Sequence, residues 1–174
     1  IENKGFVLTT TVQSKIKIYK KEGYDWANKS VQYYIGGNTK ESVNFKNEAT
    51  YNLVDGKVEK TKLKSDGEFD EKVNDFWGRK KITLPNVKEG SIIEFEYTLT
   101  SENFGSLDEW FFQESIPVLY SEFKTYIPDF YIFKPIFKGF IQPKVTQDSK
   151  TITISSIQQG SRIQNWGGNV KDGT

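Results

Sequence analysis

Cysteine, histidine and methionine are all missing from this chain of 174 residues. Without a thiol or an imidazole there is no Cys–His or Ser–His catalysis and no disulfide. Zinc sites built on those groups and haem ligation by them are excluded as well. A cysteine-free chain is compatible with any redox compartment. The chain opens at Ile1, so it is read as not beginning at a translation start, and no signal-peptide pattern remains in it to read. An excess of charge is lacking too. Lys and Arg number 24 against 23 Asp and Glu, a net charge of +1, so no global field draws nucleic acid or an anionic membrane. No apolar run approaches membrane-spanning length, so the chain is not expected to span a bilayer.

Aromatic side chains, by contrast, make up 15% of the residues. They are large enough to fill a core even at a mean hydropathy of −0.61. The patterning is that of strands. In ITLPNVKEGSIIEFEYTLTS (82–101), Ile93, Phe95, Tyr97 and Leu99 fall on one side and Glu94, Glu96, Thr98 and Thr100 on the other. FVLTTTV (6–12) and KIKIYK (15–20) have strand composition, and EGYDWANKS has faint helical character over two turns at most. Asp55-Gly56 between SVNFKNEATYNLV and VEKTKL is a hairpin signal, because the turn needs positive φ. QDSK (147–150), between FIQPKV and TITISSI, is read as a second hairpin, and RIQNW as a last short strand. Strands about every ten residues, with turns between them, predict an antiparallel sandwich or barrel. We read one domain over 1–174, with 167–174 as the start of a linker.

Four groups of residues are candidates for chemistry. Glu94 and Glu96 share a strand face and could form the carboxylate pair that glycoside hydrolysis requires. The same alternation makes them the wet side of a half-buried strand, which is the preferred reading. Asp66, Glu68, Asp70, Glu71 and Asp75 could offer oxygen ligands to Ca²⁺. Their spacing does not fit a calcium loop and Lys72 lies among them, so a solvated charged loop is expected and no metal. Gly36-Gly37 and Gly167-Gly168 lack phosphate-loop spacing and read as turns. The fourth group is an aromatic block running from Trp110 to Phe140. Filling the domain's own core is the preferred reading of the block, and Trp110, Phe111, Phe112, Tyr120 and Tyr131 are the candidate partner or ligand surface for whatever part faces elsewhere. Three consecutive aromatics in a strand cannot all face one core.

KIKIYKKEGYDWA, EATYNLVDGKVEKTKL, ITLPNVKEGSIIEFEYTLTS and WFFQESIPVLYSEFKTYIPDFY, in that order, resemble the N-terminal domain of bacterial transglutaminase-like proteins, a domain of unknown function (DUF3857). The specific parts are Leu84 to Ser91 with the Glu-Phe-Glu-Tyr strand, and Phe112-Gln113 with Ile116-Pro117-Val118. The resemblance covers about Lys15 to Pro135, and the rest matches loosely. Lys171 stands where the family pattern expects Pro. The resemblance implies an immunoglobulin-like sandwich in an exported bacterial protein, periplasmic or associated with the cell envelope. It also implies that a transglutaminase-like domain with a Cys-His-Asp site follows, and no such site can be carried onto this chain, which has neither Cys nor His. The expectation is therefore a non-catalytic binding or scaffolding module without cofactor, whose partner is that downstream domain. The alternative is a module that binds carbohydrate, peptidoglycan or peptide through exposed aromatics. A carboxylate hydrolase in its own right ranks third.

Overall fold

The computed structural model describes residues 6–103, 107–128, 131, 132, 134–154 and 166–173. Contacts divide the chain into two compact units, Ile1–Leu107 and Asp108–Thr174, where the sequence reading drew one domain.

The first unit is an antiparallel β-sandwich. Its strands are β1 (Leu8–Lys17), β2 (Asn28–Tyr34), β3 (Glu41–Val54), β4 (Lys57–Lys62), β5 (Glu68–Lys72), β6 (Trp77–Thr83) and β7 (Ile92–Ser101). They form one sheet ordered β1-β7-β3-β4 and another ordered β2-β6-β5. Alternation explains the packing. Val43 and Phe45 of β3 and Ile93 and Phe95 of β7 face Val31 of β2 and Ile82 of β6, with Ile18, Ala27 and Leu84 closing the core. Each of these side chains except Ala27 contributes about 1.5–3 kcal/mol on burial. β7 is central because it can bury one face while pairing on both edges, from Leu8↔Ser101 to Lys17↔Ile92 on one side and with β3 on the other.

Asp55-Gly56 forms the expected hairpin between β3 and β4, with φ of 49° and 76°, the left-handed values of a type I′ turn. The two strand segments expected over 6–20 are one strand, β1. EGYDWA lies within a 3₁₀ helix, Lys21–Ala27. The register of β3 slips between Lys46 and Ala49, where Asn47 has φ 60°, a conformation asparagine tolerates.

Just past this bulge, Thr50 is fully buried and its hydroxyl has no hydrogen-bond partner. A hydroxyl stranded in a core carries its whole desolvation cost. Thr50→Val keeps the branched shape and removes that cost. We expect it to stabilise the first unit by about 1 kcal/mol, read as a rise in urea midpoint with unchanged slope.

The second unit holds β8 (Thr125–Pro128), β9 (Gln147–Ile154) and β10 (Trp166–Gly173) in the order β8-β10-β9. Three expectations are corrected here. QDSK lies inside β9, where Gln147 to Lys150 pair with Gly173 to Val170. The glycine-containing segment 166–173 is a strand paired on both sides rather than a tail. Trp110 to Phe112 lie outside any strand, so strict alternation does not govern them. Of RIQNW, only Trp166 falls within the described residues.

Candidate functional site

Glu94 and Glu96 share the outer face of the four-stranded sheet, as alternation requires, and each is occupied there. Lys15, opposite Glu94 on β1, approaches to 3.4 Å. A hydrogen bond from Tyr51, and then Lys15, hold the Glu94 carboxyl below the usual carboxylate range. Glu96 accepts a bond of 2.9 Å from Gln13 Nε2. A catalytic acid needs the opposite shift, upward by burial. Replacing both by Gln keeps most of the shape and part of the hydrogen bonding, so we expect a loss of no more than about 1 kcal/mol in urea unfolding. A loss of several kcal/mol would show that the pair stabilises the sheet far beyond an ordinary surface network.

The acidic stretch is divided between the two faces of β5. Glu71 on one face is bonded by Lys81 at 2.7 Å and Arg79 at 3.3 Å, which lower its pKa. On the other face Glu68 pairs with Lys80 at 3.0 Å, and Asp70 accepts the Tyr33 hydroxyl at 2.6 Å. Alternation thus separates these carboxylates, and among the described residues no cluster suited to a metal forms. The bond to Asp70, followed by burial, pushes the Tyr33 phenol up to about 12. Its folded pKa exceeds the ordinary value of 10, so the contribution to stability is full below pH 10 and fades as pH rises through 12. Gly78 faces Tyr33 across the β2–β6 pair, and a Cβ there would lie 2.6 Å from the ring. Gly78→Ala should push the ring aside, break the bond to Asp70 and return the Tyr33 titration toward 10, read by ultraviolet absorbance of the phenolate.

Leu84 to Ser91, one of the specific parts of the family resemblance, forms a structural clasp. Buried Asn52 on β3 donates through Nδ2 to the Asn86 carbonyl at 2.9 Å, and its Oδ1 accepts from Ser91 Oγ at 2.5 Å. Ser91 Oγ accepts the Lys88 N–H at 2.9 Å. Gly90, at φ +87°, gives its N–H to the Ile18 carbonyl at 2.8 Å and accepts Lys17 Nζ at 2.6 Å. The Tyr24 hydroxyl accepts the Glu89 N–H at 3.1 Å. The segment therefore joins β1, the 3₁₀ turn and β3.

The aromatic block is only partly exposed. Trp110 is half-buried, stacked on Phe123 with centroids 5.7 Å apart, and donates Nε1 to Ser121 Oγ at 3.1 Å. Phe112 and Tyr131 are half-buried, whereas Phe111 is 68% and Tyr120 76% exposed. Glu122 accepts from Tyr120 and raises its pKa.

Sequence reasoning missed a second aromatic cluster, in the first unit. Tyr34 meets Trp77 edge-on at 5.4 Å and stacks with Phe76 at 6.4 Å. Gly36 leaves room for Phe76, since a Cβ there would lie 2.7 Å from its ring. Beside them runs a groove of about 360 Å³ lined by Tyr34, Trp77, Thr39, Lys40, Glu41, Ser101 and Asn103. Glu41 accepts the Tyr34 backbone N–H at 2.8 Å. Ser101 Oγ accepts the Asn103 N–H at 3.1 Å and donates to the Asn103 carbonyl at 3.2 Å. Ring faces beside hydroxyl, amide and ammonium groups suit binding. The signal available in sequence was the Phe76-Trp77 pair inside a charged stretch.

Fold and surface together define an all-β sandwich protein whose described polar groups mostly brace one another. The chain belongs to a family described as a domain of unknown function, DUF3857, whose model matches residues 8–163. No curated protein and no solved structure matched the chain.

Proposed function

We propose that this is a non-catalytic scaffolding and binding module, preceding a transglutaminase-like domain in an exported bacterial protein and positioning or shielding that domain. The observation that carries this reading is the apolar exposure of the second unit. Leu119, Ile132, Ile136, Phe140 and Ile141 are each more than 80% exposed, with Tyr120 at 76%. So many large apolar side chains open to water within one unit support a contact with something else. The fixed carboxylates of the first unit and the clasp role of Leu84 to Ser91 fit a scaffold. The test is binding between the chain and the separately produced downstream domain by calorimetry. Saturable association lost on serine substitution of Leu119 and Ile141 supports the reading, and no association sinks it.

A second reading, carbohydrate binding, is favoured by one feature, the groove at Tyr34 and Trp77. It would place sugars there rather than at Trp110, one of whose ring faces is stacked on Phe123. Quenching or shift of Trp77 fluorescence by peptidoglycan fragments, abolished in Trp77→Ala, would support it.

A further inference from the structure

The net charge of +1 conceals an asymmetry. The outer face of the β1-β7-β3-β4 sheet carries Lys15 and Lys17 on β1, Lys46 on β3, and Lys60 and Lys62 on β4, all exposed. Cross-strand contacts put them on one face. Lys15 pairs with Glu94, Tyr51 donates to Glu94, and Lys60 lies 5.0 Å from the centroid of the Tyr51 ring. Against these five lysines the strand positions of the face set Glu94 and Glu96, both half-buried, and Asp55 stands in the turn at its tip. Glu59 of β4 points to the opposite side. Since the whole chain is +1, the remainder is net acidic.

The same face ends in apolar side chains. Leu53 and Val58 pair across the β3–β4 hairpin, 69% and 70% exposed, one step beyond Tyr51 and Lys60. Two aliphatic groups at a hairpin tip, backed by a broad band of lysines, form a face rather than a groove. Its charge complements an extended anionic plane, and its tip can enter the apolar layer beneath. Those are the two signals that stable peripheral membrane binding requires.

We propose that this face docks the module onto a bilayer rich in anionic phospholipid, with Leu53 and Val58 inserted at headgroup depth and the lysines on phosphates. This is independent of the apolar surface of the second unit and of the groove at Trp77.

The test is co-sedimentation of the whole chain with vesicles of phosphatidylcholine alone and of phosphatidylcholine with about 30% phosphatidylglycerol. Binding is expected only to the anionic vesicles, falling steeply between 0.1 and 0.5 M salt. Lys60→Gln with Lys62→Gln should lower the partition coefficient about twenty-fivefold, roughly fivefold per lysine. Leu53→Ser with Val58→Ser should lower it by a similar factor and leave the salt dependence of the residual binding unchanged. All four side chains are exposed, so thermal melts should match the parent, and Ser30→Glu on the other sheet should bind normally. Three results would overturn the proposal: no binding to anionic vesicles, equal binding to both vesicle types, or lysine-dependent binding to a soluble polyanion that is indifferent to the Leu53 and Val58 changes. The last would make the face a docking site for an acidic macromolecule.

Discussion

Asn52→Ala is expected to lower the unfolding free energy by about 2–5 kcal/mol, far more than an ordinary polar change on a strand. Asn52 is 3% exposed and bonds two groups of the 86–91 segment, the Asn86 carbonyl and the Ser91 hydroxyl. Alanine leaves the buried Ser91 hydroxyl without its acceptor, hands the carbonyl of the exposed Asn86 to water, and opens a small void. Each buried group left without a partner costs about 1–3 kcal/mol. Ser91 is itself fully buried, so little water can take the place of the amide. Ser91→Ala should cost less, because it opens a smaller void, although Asn52 Oδ1 loses its donor and the Lys88 N–H its acceptor. The double variant should fall short of the sum by about 1–3 kcal/mol, since the two side chains act as one clasp. Urea unfolding followed by far-ultraviolet circular dichroism measures all three. A loss below about 1 kcal/mol for Asn52→Ala would show that the 86–91 segment holds its place without β3.

That clasp also shows where sequence reading stops. The faces of β7 were legible because apolar and polar residues alternate there without interruption, and the β3–β4 turn because Asp55-Gly56 tolerates positive φ. Asn52 was not, since a polar residue in an alternating strand looks like a surface residue until its partner 39 positions away is known. Lys80 breaks the pattern in the same way. It points toward the opposite sheet, pairs with Glu68 and donates to the Val43 carbonyl at 3.3 Å. The family resemblance named the segment 84–91 as specific, and the structure gives the specificity a physical cause in backbone closure. The groove beside Trp77 was hidden because its lining comes from segments near residues 34, 40, 77 and 102, which only the sheet pairing brings together. At the aromatic block only the strand assumption is overturned. Strand alternation does not govern Trp110–Phe112, because no paired strand runs there, and composition alone does not reveal that.

Aromatic residues in the two units should therefore respond oppositely to truncation. Phe95, 4% exposed on the central strand, packs within the core cluster shared by both sheets. Phe95→Ala removes that packing and opens a cavity that strands paired on both edges cannot close by shifting. A loss of about 3–5 kcal/mol is expected, enough to unfold a marginal domain. Phe111, 68% exposed in the second unit, has little to lose, and Phe111→Ala should cost no more than about 0.5 kcal/mol. Tyr120→Ala should behave likewise, apart from its exposed bond to Glu122. If the exposed aromatics meet the proposed downstream domain, each central anchor among them should weaken docking by at least about 2 kcal/mol while leaving the unfolding midpoint unchanged. Trp110 and Phe112 fall between, since half-burial gives them both a packing role and an accessible edge. Chemical unfolding of each variant and its affinity for the separately produced domain, measured side by side, distinguish the cases. Strong destabilisation by Phe111→Ala with no effect on docking would return the whole block to the interior and remove the interface from the proposed function.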